Sequence, residues 1–192
     1  MMKTTNAIAV ATAIAFGGLA GAQALLGRNP ANVANAVASI PRPVWTEVKW
    51  PFLIDQWGKG KAFQCAAAHC GREVNLYLRA KIGFCNCTTG VADDEELERL
   101  SDFHFLGDEL LPLGAGRPIA VASMKGRSRT YKLMARNRPG ETAISIAFNE
   151  GCDAIVATIV LPHDQPSAIE PSVIDFLNSR TVVNWASAVL GL

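Results

Sequence analysis

The side chains with most chemistry to offer are sulfurs and an imidazole gathered in two short clusters. Cys65 and Cys70 bracket Ala66-Ala67-Ala68-His69, Cys85 and Cys87 form a C-x-C pair, and Cys152 stands alone downstream. Oxidised, these residues make disulfides. A Cys65–Cys70 bond would staple a hairpin loop. The two members of a C-x-C bond each other poorly, because the ring is too small for relaxed disulfide geometry. One of Cys85 or Cys87 is therefore expected to reach Cys152 or the 65–70 loop. All five cysteines remain candidates, with five choices of the odd one and three pairings for each choice. Reduced, Cys65, His69, Cys70, Cys85 and Cys87 would offer thiolate and imidazole ligands to zinc or cuprous copper. C-x4-C followed by C-x-C is not the spacing of a zinc ribbon, and no C-x-x-C is present to suggest a redox enzyme.

Other catalytic patterns are missing. The chain has no G-x-S-x-G, no H-E-x-x-H and no P-loop, and Gly114-Ala115-Gly116 lacks the third glycine of a dinucleotide fingerprint. His104 is isolated, and His163-Asp164 reads as a turn. Two features suit contact with a partner instead. Trp45, Trp50 and Trp57 fall close together, where exposed rings would anchor a protein or glycan and buried ones would form core or core rim. Charge is also segregated. Asp93 to Glu109 holds eight acids and one base, whereas Arg117 to Arg138 holds seven bases and no acid. Such a basic stretch, with Arg127 and Arg129 on one strand face and Lys132 beyond, would dock an acidic protein or an anionic membrane surface. Two ordinary solvated faces are the plain alternative.

Composition narrows the setting. The chain has 192 residues, 49% hydrophobic and 18% charged, ample for a core and inconsistent with disorder. Its 18 bases nearly balance 17 acids, which excludes a dedicated nucleic-acid binder. Three of those bases, Lys3, Arg28 and Arg42, precede the first acid, Glu47, leaving 15 bases against 17 acids from residue 47 onward. Lys3 leads into an apolar run from Ala7 to Leu26 that contains a Gly17-Gly18 break, small residues beyond it and an A-x-A pattern at Ala22-Gln23-Ala24, with Ala20-Gly21-Ala22 as a second candidate. Residues 1–24 therefore read as a secretory signal peptide cleaved after Ala24, or as an uncleaved inner-membrane anchor over 7–26. Either way the remainder is expected to be exported, to a periplasm or outside the cell. Residues 25–43, rich in Ala, Asn and Pro, read as a linker, and 44–192 as a single domain.

Within that domain, alternation predicts strands over Val44–Phe52 and Lys61–Cys65, and most clearly over Glu73–Phe84. In the last of these, Val74, Leu76, Leu78, Ala80, Ile82 and Phe84 form a buried face. Glu73, Asn75, Tyr77, Arg79 and Lys81 form a wet one. Residues 93–100 read as a helix with acids at its amino end. Four strands then follow at 118–124, 128–134, 142–148 and 152–160, separated by turn-formers at Gly126, Pro139-Gly140 and Asn149-Glu150-Gly151. Short connections predict an antiparallel meander, with the doubly apolar last strand central and under a helix. A helical region beginning at Pro171 carries a stripe of Val182, Val183, Trp185, Ala186, Val189 and Leu190. The fold class is α+β: an antiparallel sheet packed by a carboxy-terminal helix.

Trp50-Pro51-Phe52 through Trp57-Gly58-Lys59-Gly60, then Leu76-Tyr77-Leu78-Arg79 to Gly83-Phe84-Cys85-Asn86-Cys87-Thr88-Thr89-Gly90, resembles a group of bacterial exported proteins without a known activity. The element order over residues 44–192 is also similar to the PsbP-like extrinsic-protein fold, a likeness of architecture that implies no site. These readings converge on a non-enzymatic extracytoplasmic domain, braced by disulfides, that needs no cofactor and acts through its surface. The opposing expectation is a thiol-ligated copper or zinc protein for metal handling or assembly.

Overall fold

Period-two alternation carries most of the domain into one sheet. The computed structural model describes residues 43–107, 109–134, 141–162 and 166–192. The leader and linker readings, the Pro139-Gly140 turn, Arg136, Arg138, Asp108 and the His163-Asp164 pair lie outside those residues. One unit takes in Ile40–Leu192. Its strands are β1 (Trp45–Val48), β2 (Lys61–Cys65), β3 (Val74–Lys81), β4 (Leu110–Pro112), β5 (Arg117–Val121), β6 (Met124–Leu133), β7 (Thr142–Glu150) and β8 (Asp153–Leu161). Its helices are α1 (Ala67–Cys70), α2 (Asp94–Leu100), α3 (Pro166–Leu177) and α4 (Arg180–Leu190).

All strand pairs are antiparallel, in the order β1-β2-β3-β8-β7-β6-β4, with β5 also on β6. The fold is α+β, and β5 to β8 form the expected meander. β8 lies between β3 and β7 and is buried on both faces. One sheet face meets α3 and α4, where Leu76, Ile144, Ile146, Phe148, Ile155 and Ile159 pack on Val173, Leu177, Val182 and Ala186. The opposite face is covered too. Leu97 and Leu100 of α2 pack with Cys85 and Val91 on Ala147, Ala154 and Val156. Beside α2, the 50–60 loop and residues 102–105 cover β3 and correct its expected wet face: Arg79 and Lys81 are only 1% and 3% exposed, whereas Ile82 of the supposed buried row is 53% exposed.

Other differences have local causes. The first strand stops at Val48, before Pro51 and a loop that closes through an Asp55–Gly58 bridge. Gly126 lies inside β6 rather than at a turn. A side chain there would collide with the Ala147 carbonyl and Phe148 of β7, so glycine marks a close strand approach. The β5–β6 turn falls instead at Ala122-Ser123, with Ala122 at φ 51°. The carboxy-terminal helices begin at Pro166, not Pro171. Pro171 sits inside α3 with exposed surface, where it forgoes one backbone hydrogen bond. The α2 start is as expected: Asp93 caps it by accepting from the Glu96 N–H at 2.8 Å.

Candidate functional site

The sulfurs divide between two bonds and one buried thiol. Cys65 at the end of β2 bonds Cys70 across the single turn of α1. Cys87 bonds Cys152 in the β7–β8 turn, tying the 84–92 loop to the sheet. Cys85, the other half of the C-x-C, donates its backbone N–H to the Cys152 carbonyl at 2.9 Å and keeps its thiol free. Burial, reinforced by the Glu96 carboxylate, pushes that thiol up to about 11. His69 is exposed on α1. Cys65, Cys70 and Cys87 thus hold sulfur partners. No group of three or more His, Cys, Asp or Glu arranged to hold a metal occurs among the described residues.

A charge network that no motif announced sits on the second sheet face. Arg79 of β3 donates from Nε and Nη2 to the two Asp102 carboxylate oxygens, at 3.0 and 2.6 Å. Its Nη1 donates to both Asp55 oxygens at 2.7 Å. The guanidinium lies 4.1 Å from the centre of the Phe105 ring. Lys81, two residues along, places Nζ 2.9 Å from Asp102 Oδ1. Burial pulls this ammonium below its ordinary value, against the attraction of Asp102. Asp55 is held below the usual carboxylate range. Burial acts to raise it, and the Trp57 N–H with Arg79 outweighs that effect. Two cations and two anions therefore neutralise one another. Arg79 directs every guanidinium nitrogen at a protein acceptor, so the group clamps the 50–60 loop and the Phe103–Phe105 3-10 turn to β3.

The segregated charges meet each other. Asp94 accepts from the Gly116 N–H at 3.0 Å and pairs with Arg127. Gly116 first, then Arg127 and Arg129, hold its carboxyl below the usual range. Arg129 pairs with Glu98 at 2.6 Å and donates to the Gly114 carbonyl at 2.7 Å. Arg127 and Arg129 do share one face of β6, as expected, but that face lies under α2. Lys125 and Lys132 are the exposed bases of the strand. The tryptophans form no common patch. Trp45 stacks on Phe176 of α3, Trp50 is core against Phe52, Tyr77 and Phe105, and Trp57 packs on Phe84.

Concave surface is modest. A groove of about 600 Å³ is lined by the stacked Trp45 and Phe176 and edged by Ser172, Asp175 and Ser179. A polar hollow of about 350 Å³ lies beside the Cys87–Cys152 bond, with Lys125 and Asn149 on its wall. Neither contains the Arg79 network. Comparison with family models, curated proteins and solved structures found no match for the chain. The network was hard to foresee because Asp55, Arg79 and Asp102 are far apart in sequence. The available signal was the apolar pair Leu97 and Leu100, which required α2 to cover some part of the sheet.

Proposed function

We propose that this chain is a non-enzymatic, extracytoplasmic domain that works through surface contacts on a disulfide-braced frame. The observation that carries the reading is the pair of disulfides, Cys65–Cys70 and Cys87–Cys152. Such bonds persist in oxidising compartments. The basic start and apolar run of residues 1–26 support the same address, periplasmic or secreted, with 7–26 as an inner-membrane anchor where the leader is not cleaved. Saturation of the buried charges by one another supports a role for them in holding shape. The 117–138 segment retains Lys125 and Lys132 for an acidic protein or an anionic membrane surface, since Arg127 and Arg129 are engaged by α2.

The deciding experiment counts thiols in protein taken from its native compartment, by intact mass under non-reducing denaturing conditions with and without alkylation. One alkylated cysteine, mapping to Cys85, is expected. Four or five free thiols with stoichiometric copper or zinc would overturn the reading in favour of a thiolate metal site.

A further inference from the structure

The loop between β1 and β2 ends in two aliphatic side chains held away from the protein. Leu53 is 90% exposed and Ile54 71%, the largest exposures among the big apolar residues described. An apolar pair normally turns inward or is covered, so sustained exposure calls for a cause. Here the backbone on both sides is fixed. Before the tip, Trp50 is buried against Phe105, and Phe52 stacks on the same ring with centroids 4.2 Å apart. Gly60 leaves room for that packing, because a side chain there would collide with the Trp50 ring. After the tip, Asp55 is gripped by Arg79 and closes a turn by accepting the Gly58 N–H at 2.9 Å. Two residues between two clamps cannot fold back.

We infer that Leu53 and Ile54 form a wedge that enters the interface of an anionic lipid surface. This deepens the proposed surface-contact role, on which it rests, by naming the partner and the contact point. Lys49 and Lys59 stand on either side of the tip in the chain, both exposed and without an ion-pair partner among the described residues. The acids nearby in the chain are already matched: Glu47 pairs with Lys61, and Asp55 with Arg79. The segment around the tip therefore keeps two unmatched lysines, although the chain from residue 47 onward is slightly acidic. A protein interface of ordinary size needs about 800 Å² of complementary surface on each side. An exposed two-residue apolar pair with an unpaired lysine on each side in the chain supplies instead what interfacial insertion uses, apolar area together with cations.

The test labels full-length Leu53→Cys protein with an environment-sensitive nitrobenzoxadiazole dye, and Glu95→Cys on exposed α2 as the control. Cys85 is buried and stays unlabelled in the folded protein. Reading position 53 against position 95 reports insertion at the tip separately from any insertion of residues 7–26. Vesicles of phosphatidylglycerol and phosphatidylcholine should blue-shift and brighten the dye at position 53 severalfold and leave position 95 unchanged. Pure phosphatidylcholine should give little response. Lys49→Glu with Lys59→Glu should weaken the response at least about 25-fold in lipid concentration, from about fivefold for each lysine lost. A silent dye at position 53, equal response to neutral vesicles, or indifference to the lysine reversals would overturn the wedge. Crosslinking from position 53 to a protein neighbour, with the dye silent on vesicles, would assign the tip to a protein partner instead. A silent dye with two intact disulfides defeats this inference alone, whereas loss of the disulfides in the thiol count defeats the reading beneath it.

Discussion

Arg79 shows how a residue can be legible in type and misread in place. Its position in the strict alternation of β3 identified its face, because successive side chains in a strand point to opposite sides. Alternation cannot say whether the second side is wet. That depended on Asp102 and Asp55, which arrive from elsewhere in the chain. Once the face is covered, Arg79 and Lys81 need anions, and Asp102 serves both at 2.6 and 2.9 Å. Removing one member of a buried ion network leaves the opposite charge without compensation, at a cost of about 3–5 kcal/mol. Asp102→Asn should therefore lower unfolding free energy by about that amount in urea titration. Asp55→Asn should cost distinctly less, because its side chain is 32% exposed and water can replace it. Equal losses would mean that Asp102 does not hold the two cations as the geometry indicates.

At the level of elements, the acidic helix and the basic strand are two halves of one contact. Their charge blocks were plain in the sequence, and so was the helix, from its acids and its Asp93 cap. Their mutual pairing was not, since α2 and β6 are separated by β4, β5 and a loop. The same limit applies to Gly126, whose strand role depends on β7 behind it. Arg127 and Arg129 are mostly enclosed, with side chains 18% and 17% exposed. Arg127→Glu with Arg129→Glu would set four carboxylates together and deprive the Gly114 and Gly116 carbonyls of their side-chain donors. We expect a loss of about 2–4 kcal/mol, or roughly 4–16 °C in Tm for a chain of this size. Reversing Asp94 and Glu98 to Lys in the same protein should restore part of it. A double reversal with an unchanged Tm would return these arginines to the role of a free docking patch.

Across the whole described unit, the two disulfides and the matched carboxylates set the conditions under which it stays folded. The bonds close loops of very different length, with sequence separations of 5 and 65. Chain entropy assigns about 2 kcal/mol to the short loop and about 4 kcal/mol to the long one. Cys87→Ser with Cys152→Ser should accordingly lower Tm more than Cys65→Ser with Cys70→Ser. The dependence on pH follows from the shifted groups. Asp94, Glu96 and Asp55 all titrate below their ordinary values in the folded protein. As pH falls through about 4, the unfolded chain takes up protons first, so stability declines there and continues to decline until the folded carboxyls protonate. Cys85 acts with the opposite sign. Its thiol is pushed up to about 11, so the stability it contributes is complete below about pH 8.5 and is lost progressively as pH rises from there to about 11. Thermal melts from pH 2.5 to 10 should show a plateau between about pH 5 and 8 with a decline on each side. Asp94→Asn should flatten the acid decline by removing its share, while Cys85→Ala should flatten the alkaline one and alter the acid side only through its contact with Glu96. An acid decline unchanged by Asp94→Asn would show that the Gly116 and Arg127 contacts do not discriminate between the protonated and ionised carboxyl.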